Sequence, residues 1–265
     1  MSETASPSVE WVDPHWKPIL VFNGLADFSS LWNLPVTWIE PPNQRRGGWS
    51  AVARIELKLP EGGTVGVFLK RQENNGCRTW RHPWSGIPTF AREFAGIQLL
   101  RQLGVPTLEP VYFARDGRGA AGRAILLTRA LDGYQALGSG PFAPDSGWAR
   151  QFAHRRALIG AVAGLARALH ARRLQHNCLY PKHLLVRTHA GEAGPDVEVR
   201  LIDLEKLRRP IVPAMAARHD LNAMNRRAPG WSRTDRLRFL LAYLGEPRLT
   251  ARGRRLWRYL AARAR

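Results

Sequence analysis

The sequence is short of cysteine, acidic residues and long apolar runs, and each shortage narrows the reading. Two cysteines, Cys77 and Cys178, among 265 residues supply neither a disulfide framework nor a zinc-ligand spacing, which fits a reducing compartment. No segment approaches the ~18 consecutive apolar residues of a membrane-spanning helix. The opening stretch MSETASPSVEWVDPHWKP carries acidic residues and no apolar centre, unlike a secretory signal. The expectation is a cytoplasmic protein whose membrane contact, if any, is peripheral. Acidic residues number 21 against 40 lysines and arginines, for a formal net charge of +19. A field of that sign favours anionic partners such as nucleic acid, phospholipid headgroups or phosphorylated glycans. The ten tryptophans are spread through separate apolar segments with no repeated stacking module, which ranks nucleic acid last among these.

What is present is ordinary for a globular protein: 45% hydrophobic and 23% charged residues, enough chain for one large core or two lobes. Residues 1–34 show no clear period and read as an irregular segment. From Val36 the pattern changes to strands. The segments AVARIELKL and TVGVFLKRQ flank a turn at residues 60–63, with Gly47-Gly48 in an earlier turn. Backbone N–H groups at Gly47-Gly48, with Arg45 and Arg46, make a candidate phosphate cradle, although two glycines in a hairpin are more often only a turn. In the strand over 65–71, period two puts Val65, Val67 and Leu69 on one face and Gly66, Phe68 and Lys70 on the other. A lysine amid an apolar strand needs an anion if it is buried, or it snorkels at a sheet edge.

A candidate partner follows 23 residues later. Thr89 is placed to cap a helix over 90–103, and on its stripe of Phe90, Phe94, Ile97 and Leu100 falls Glu93. Glu93 then pairs either with Lys70 or, on the surface, with Arg92 or Arg101. Two further strands, VPTLEPVYFA and RAILLTRAL, joined through DGRG, complete about five strands and one helix. The Gly/Pro/Ser-rich stretch after Leu131 marks a boundary. Thereafter the chain reads as helical: a long amphipathic helix over 148–170, then helices over 218–224, 234–244 and 256–262.

Between these helices lies LHARRLQHNCLYPKHLLVRTHAGEAGPDVEVRLIDLEK, residues 169–206. A helix ends, a polar loop holds His176, Cys178, Lys182 and His183, and a hairpin with a turn at 191–195 runs out at Asp203. Taken alone it favours, slightly, a helix followed by an ordinary hairpin with surface histidines. In its setting, after a β-rich half, it resembles the catalytic and metal-binding loops of the protein-kinase-like fold.

With FLKRQ at 68–72, HPWSGIPTFAREF at 82–94, HNCLYPKHLLV at 176–186, LIDLEK at 201–206 and RHDL at 218–221, the chain resembles the lipopolysaccharide core kinases of the Kdo/WaaP group, in particular their InaA-like branch. The resemblance implies an α+β fold of two lobes. The N-terminal lobe, over 35–131, would hold an antiparallel sheet with one helix, and the mainly helical C-terminal lobe would cover 132–265. It also implies an ATP- and magnesium-dependent transfer of phosphate to a sugar hydroxyl of the lipopolysaccharide core, by a monomer working at the cytoplasmic face of the inner membrane. On that reading Lys70, with the Gly47-Gly48 turn, holds nucleotide phosphates and Glu93 orients the lysine. Asp203 binds magnesium, His183 stands beside it as a second metal or phosphate contact, and Asp220 braces the loop that carries His176, Cys178 and Lys182. The family's pattern departs here in two respects. Phe68 stands two residues before Lys70, where protein kinases usually have a small residue against adenine, which implies a reshaped nucleotide pocket. Cys178 occupies the position of the catalytic aspartate, and a thiol with an ordinary pKa of about 8.5 is a poor acceptor for a sugar hydroxyl's proton. A nucleotide- or glycolipid-binding scaffold without transfer activity is the competing expectation.

Overall fold

The computed structural model describes residues 8–45, 47–79, 82–117, 119–191, 194–228 and 230–263. Arg46, Arg118 in the DGRG turn, and residues 192–193 of the 191–195 turn lie outside them. Two compact units emerge. The first runs to Leu99 and resumes over Leu108–Asp132, and the second comprises Leu100–Thr107 and the chain from Gly133 onward.

The first unit is built on a six-stranded antiparallel sheet. Its strands are β1 (Val9–Val12), β2 (Asn43–Arg45), β3 (Gly48–Lys58), β4 (Thr64–Glu73), β7 (Pro110–Asp116) and β8 (Arg123–Arg129). Their order across the sheet is β1-β7-β8-β4-β3-β2, with every neighbouring pair antiparallel. A separate hairpin, β5 (Gly76–Thr79) with β6 (His82–Pro88), leads into helix α3 (Thr89–Gln102).

Of the N-terminal segment expected to be irregular, residues 1–7 lie outside the described residues, and residues 8–34 are not irregular. Besides β1 it forms helices α1 (Lys17–Phe22) and α2 (Phe28–Asn33). Each helix is only 6 residues long, too short to show a helical period, so the pattern is legible only in the packing. Trp16, Ile19, Leu20, Phe28 and Leu31 join Val67, Leu69, Ile125 and Leu127 in one buried cluster on one face of the sheet. Asp27 caps α2 with a reciprocal pair of bonds to Ser30.

Strand register defines what lies on the other face. Trp11 pairs with Phe113, Phe113 with Leu126, Leu126 with Lys70 and Lys70 with Val52. These residues form one row across the sheet, and α3 covers it: Phe94 stacks on Phe113 at 4.5 Å and meets Trp11 at 5.0 Å.

The expected cap of α3 comes from elsewhere. Gln72, two residues beyond Lys70 on the same face and fully buried, accepts from the Phe90 N–H at 2.8 Å and from the Thr89 hydroxyl at 2.8 Å. Its amide also donates to the Asn75 carbonyl. A strand side chain thus satisfies the helix N-terminus that Thr89 was expected to cap.

In the second unit, β9 (Gln135–Ala136), β10 (Leu184–Gly191) and β11 (Gly194–Leu201) form an antiparallel sheet in the order β11-β10-β9. The expected long helix breaks in two, α4 (Gly147–Arg150) and α5 (Phe152–Ala171), at Gln151, whose backbone is extended. Trp148 therefore leaves the α5 stripe and packs edge-on against Phe142 at 5.1 Å, and Phe152 is exposed. The remaining stripe, Leu158, Ile159, Val162, Leu165 and Leu169, is buried. Helices α6 (Pro213–Arg227), α7 (Arg233–Leu244) and α8 (Ala251–Ala261) follow.

The Gly47-Gly48 turn has a steric explanation. Gly47 has φ +77°, and a Cβ on Gly48 would lie 2.0 Å from the Asn74 carbonyl oxygen, too close for any side chain. Gly48→Ala is expected to cost about 1–3 kcal/mol through forced displacement of the β4 end. Urea unfolding with an unchanged midpoint would refute this.

Candidate active site

The candidate residues fall into two groups, one in each unit. In the first unit β4 presents Lys70 toward α3, and its Nζ lies 2.6 Å from Oε1 of Glu93. The lysine side chain is 19% exposed and the glutamate 5%. Glu93 therefore keeps its charge out of water by pairing with Lys70 rather than with a surface arginine. The Phe90 ring lies 5.9 Å from the ammonium and narrows the lysine's freedom further. Covered by α3 on one side, the ammonium retains only a small open face.

In the second unit Asp220 of α6 is fully buried and organises the loop that follows α5. Its Oδ2 accepts from the His176 backbone N–H at 2.7 Å and its Oδ1 from the Asn177 N–H at 2.9 Å. His170 Nε2 stands 3.3 Å from Oδ2. Burial alone would push the Asp220 carboxyl up; the His170 bond and charge, with the His176 N–H, outweigh it and hold the group below the usual carboxylate range. This clamp lets Asn177 adopt φ +68°, a left-handed conformation that asparagine tolerates better than most residues.

His176 is fully buried and both its nitrogens are engaged. Nε2–H donates to the Ile202 carbonyl at 2.9 Å, and Nδ1 accepts from the Cys178 N–H at 3.2 Å. Burial lowers its pKa, in keeping with a neutral ring. It ties the loop to the end of β11 and has no nitrogen left for chemistry.

The loop closes through a 3₁₀ turn at Pro181–His183. There His183 Nδ1–H donates to the Cys178 carbonyl at 2.8 Å, while Nε2 faces Asp203 Oδ2 at 3.1 Å. The ring thus bridges the Cys178 carbonyl and the Asp203 carboxylate, tying the loop to the turn that follows β11. Asp203 is itself held at φ +62°, left-handed and costly for a non-glycine residue, as at many functional sites. Its side chain is 39% exposed, and the following Leu204 is fully buried, which anchors the turn. A half-exposed carboxylate in a fixed orientation is a hard oxygen ligand suited to magnesium, and that donor chemistry fits the residues present.

The other sequence candidates are placed as follows. Cys178 is buried and belongs to the loop through both its N–H and its carbonyl. Lys182 is exposed in the 3₁₀ turn, apart from the paired groups. Phe68 is half-buried on the Lys70 face of β4. Two residues escaped the sequence reading. Gln72 sets the start of α3, and Lys206, in the 3₁₀ turn Leu204–Lys206, is held above the ordinary lysine range by the electrostatic pull of Cys178, then of Glu205 and Asp203. The LIDLEK string contained Lys206 but did not show its ion pair with Glu205.

A lysine–glutamate pair between a central strand and the helix after it, and a braced loop and hairpin ending on an aspartate, define a protein-kinase-like fold. The comparisons agree. The profile of the lipopolysaccharide kinase (Kdo/WaaP) family matches residues 29–243. Protein InaA of Escherichia coli (strain K12) is 29% identical over 208 residues, covering 76% of this chain and 87% of that protein. The solved structure of WaaP in complex with acyl carrier protein superposes with a TM-score of 0.68 at 22% identity, over 97% of this chain and 98% of that one. The chain belongs to the lipopolysaccharide kinase (Kdo/WaaP) family.

The clamp gives a pH signature. A carboxyl with a lowered folded pKa stabilises the fold fully above its unfolded value and loses that contribution as pH falls through the folded value. Asp220→Asn is expected to cost ~3 kcal/mol at neutral pH. The gap from wild type should stay flat down to the ordinary carboxyl value of 3.8 and shrink below it. Denaturant titrations of both proteins across this range check it, and a gap that ignores pH would contradict the clamp.

Proposed function

We propose that this chain is an ATP- and magnesium-dependent phosphotransferase acting on a sugar hydroxyl of the lipopolysaccharide inner core, working as a monomer at the cytoplasmic face of the inner membrane. The observation that carries the proposal is the Lys70–Glu93 pair at 2.6 Å, a half-buried cation fixed by a buried carboxylate with part of its surface left open. Lys70 would hold nucleotide phosphates and Glu93 would keep it aimed, with the Gly47-Gly48 turn adding backbone N–H groups nearby in the sheet. Asp203 would hold the magnesium ion, which neutralises charge on the phosphates. His183 would keep Asp203 in place, and Asp220 and His176 would set the loop.

Cys178 at the base position is compatible with turnover. Phosphoryl transfer passes through a loose transition state in which positioning and charge neutralisation carry most of the catalysis. The +19 charge of the chain suits an anionic glycolipid substrate.

One observation favours a second reading. The thiol at the base position is buried and bonded into the loop through its own backbone, so a nucleotide-binding sensor without transfer activity would look the same.

A single preparation separates the two. ATP is titrated with and without magnesium, dephosphorylated lipopolysaccharide core is then supplied, and phosphate incorporation is followed. The kinase reading expects incorporation that Asp203→Ala abolishes and that Lys70→Ala lowers by about a hundredfold or more. Cys178→Ala should stay within about tenfold of wild type if no strong base acts there. Magnesium-dependent binding without transfer would leave the sensor, and no ATP binding would end both.

A further inference from the structure

The segment between Asp203 and the body of α6 has a feature that phosphotransfer does not use. Ile211 is fully exposed, Val212 is 48% exposed and Met215 is 66% exposed. Single exposed apolar residues are unremarkable, but these are three large ones within five positions. Pro210 precedes them and Pro213 opens the helix, and a fixed φ at each proline limits how far the intervening side chains can turn inward.

The charge around this tip is mostly positive, with Glu205 before it paired to Lys206 at 3.6 Å. From Lys206 to His219 the chain carries Lys206, Arg208, Arg209 and Arg218 and no carboxylate; the next acid, Asp220, is buried. On the same flank a groove of about 330 Å³ opens among α6, α7 and α8. It is lined by Ala214, Ala217 and Leu221 and by the exposed arginines Arg218, Arg252 and Arg255. From Pro247 to Arg263 there is again no carboxylate. Helical spacing sets Met215 about 60° around α6 from Arg218, so tip and groove adjoin.

We propose that this surface docks the protein on a bilayer rich in anionic phospholipid, with Ile211, Val212 and Met215 entering the headgroup–acyl boundary and the arginine-lined groove seating lipid phosphates. An apolar tip flanked by cations is the pattern of interfacial binding, which needs both apolar insertion and attraction to anionic lipid. A soluble acidic partner would match the arginines but would not require a stiff, fully exposed isoleucine. The inference rests on the membrane-surface location in the proposed function and names the face that docks; its readout, binding to lipid, is separate from phosphate transfer.

The test is sedimentation of the full chain with vesicles of phosphatidylcholine alone and of phosphatidylcholine mixed with phosphatidylglycerol. Binding is expected only to the mixture. Ile211→Asp with Met215→Asp should weaken it about tenfold or more, at an unchanged melting temperature because both side chains face water. Arg252→Gln and Arg255→Gln should each weaken it about fivefold, with the loss greatest at low salt. An environment-sensitive dye on Ile211→Cys should shift to the blue with the mixed vesicles. Absence of binding would overturn the proposal. So would binding that survives Ile211→Asp with Met215→Asp, which would mean diffuse charge adsorption, or a dye that reports water throughout.

Discussion

A charge removed from water must be compensated where it is buried, and this constraint shapes both units of the chain. In the first, Glu93 sits on the covered face of α3, where an unpaired carboxylate would be prohibitive. The lysine that answers it stands at the centre of β4, so strand and helix are fixed relative to each other by one 2.6 Å contact. In the second, Asp220 pays for its burial with two backbone N–H groups and an imidazole. The loop through His176 and Asn177 takes its shape from that carboxylate. Removing either partner of such a group would leave a charge stranded, which typically costs ~3–5 kcal/mol.

Around these two anchors the remaining polar groups are spent on positioning. Gln72 follows Lys70 by two residues and starts α3. His176 links its loop to the end of β11, and His183 stands between the Cys178 carbonyl and Asp203. Each is buried, and each has its bonding capacity taken up by named neighbours. Lys70 in the first unit and Asp203 in the second each keep part of their surface open, at 19% and 39% side-chain exposure. The αL backbone at Asp203 shows that its direction is imposed by what surrounds it: the buried Leu204 after it and the paired His183 beside it.

Much of this was legible in the sequence because it depends on short-range period and on residue type. Alternation in TVGVFLKRQ put Lys70 on the face opposite Val67 and Leu69, and the stripe of α3 put Glu93 on its packing side. The hairpin and Asp203 followed from two apolar runs around a turn, and the α+β protein-kinase-like fold from the order of these pieces. The N-terminal helices were not legible, since one and a half turns carry no period and their apolar residues find meaning only against the sheet. The break at Gln151 was missed because Trp148 and Phe152 continue the apolar spacing of α5 without sharing its packing.

The sequence by itself determined the strand face of Lys70, the helix face of Glu93 and the excess of positive charge, because each is a matter of periodicity or composition; the class of the fold came from the motifs that carry the family resemblance. Only the tertiary structure decided which partner Glu93 takes, that Gln72 rather than Thr89 caps α3, that both nitrogens of His176 are occupied, and that Gly48 is required by the Asn74 carbonyl. These are contacts between residues distant along the chain or on different elements. Local pattern fixes where a side chain points, but the cost of leaving a buried group unpaired is settled only when the surrounding elements have closed over it.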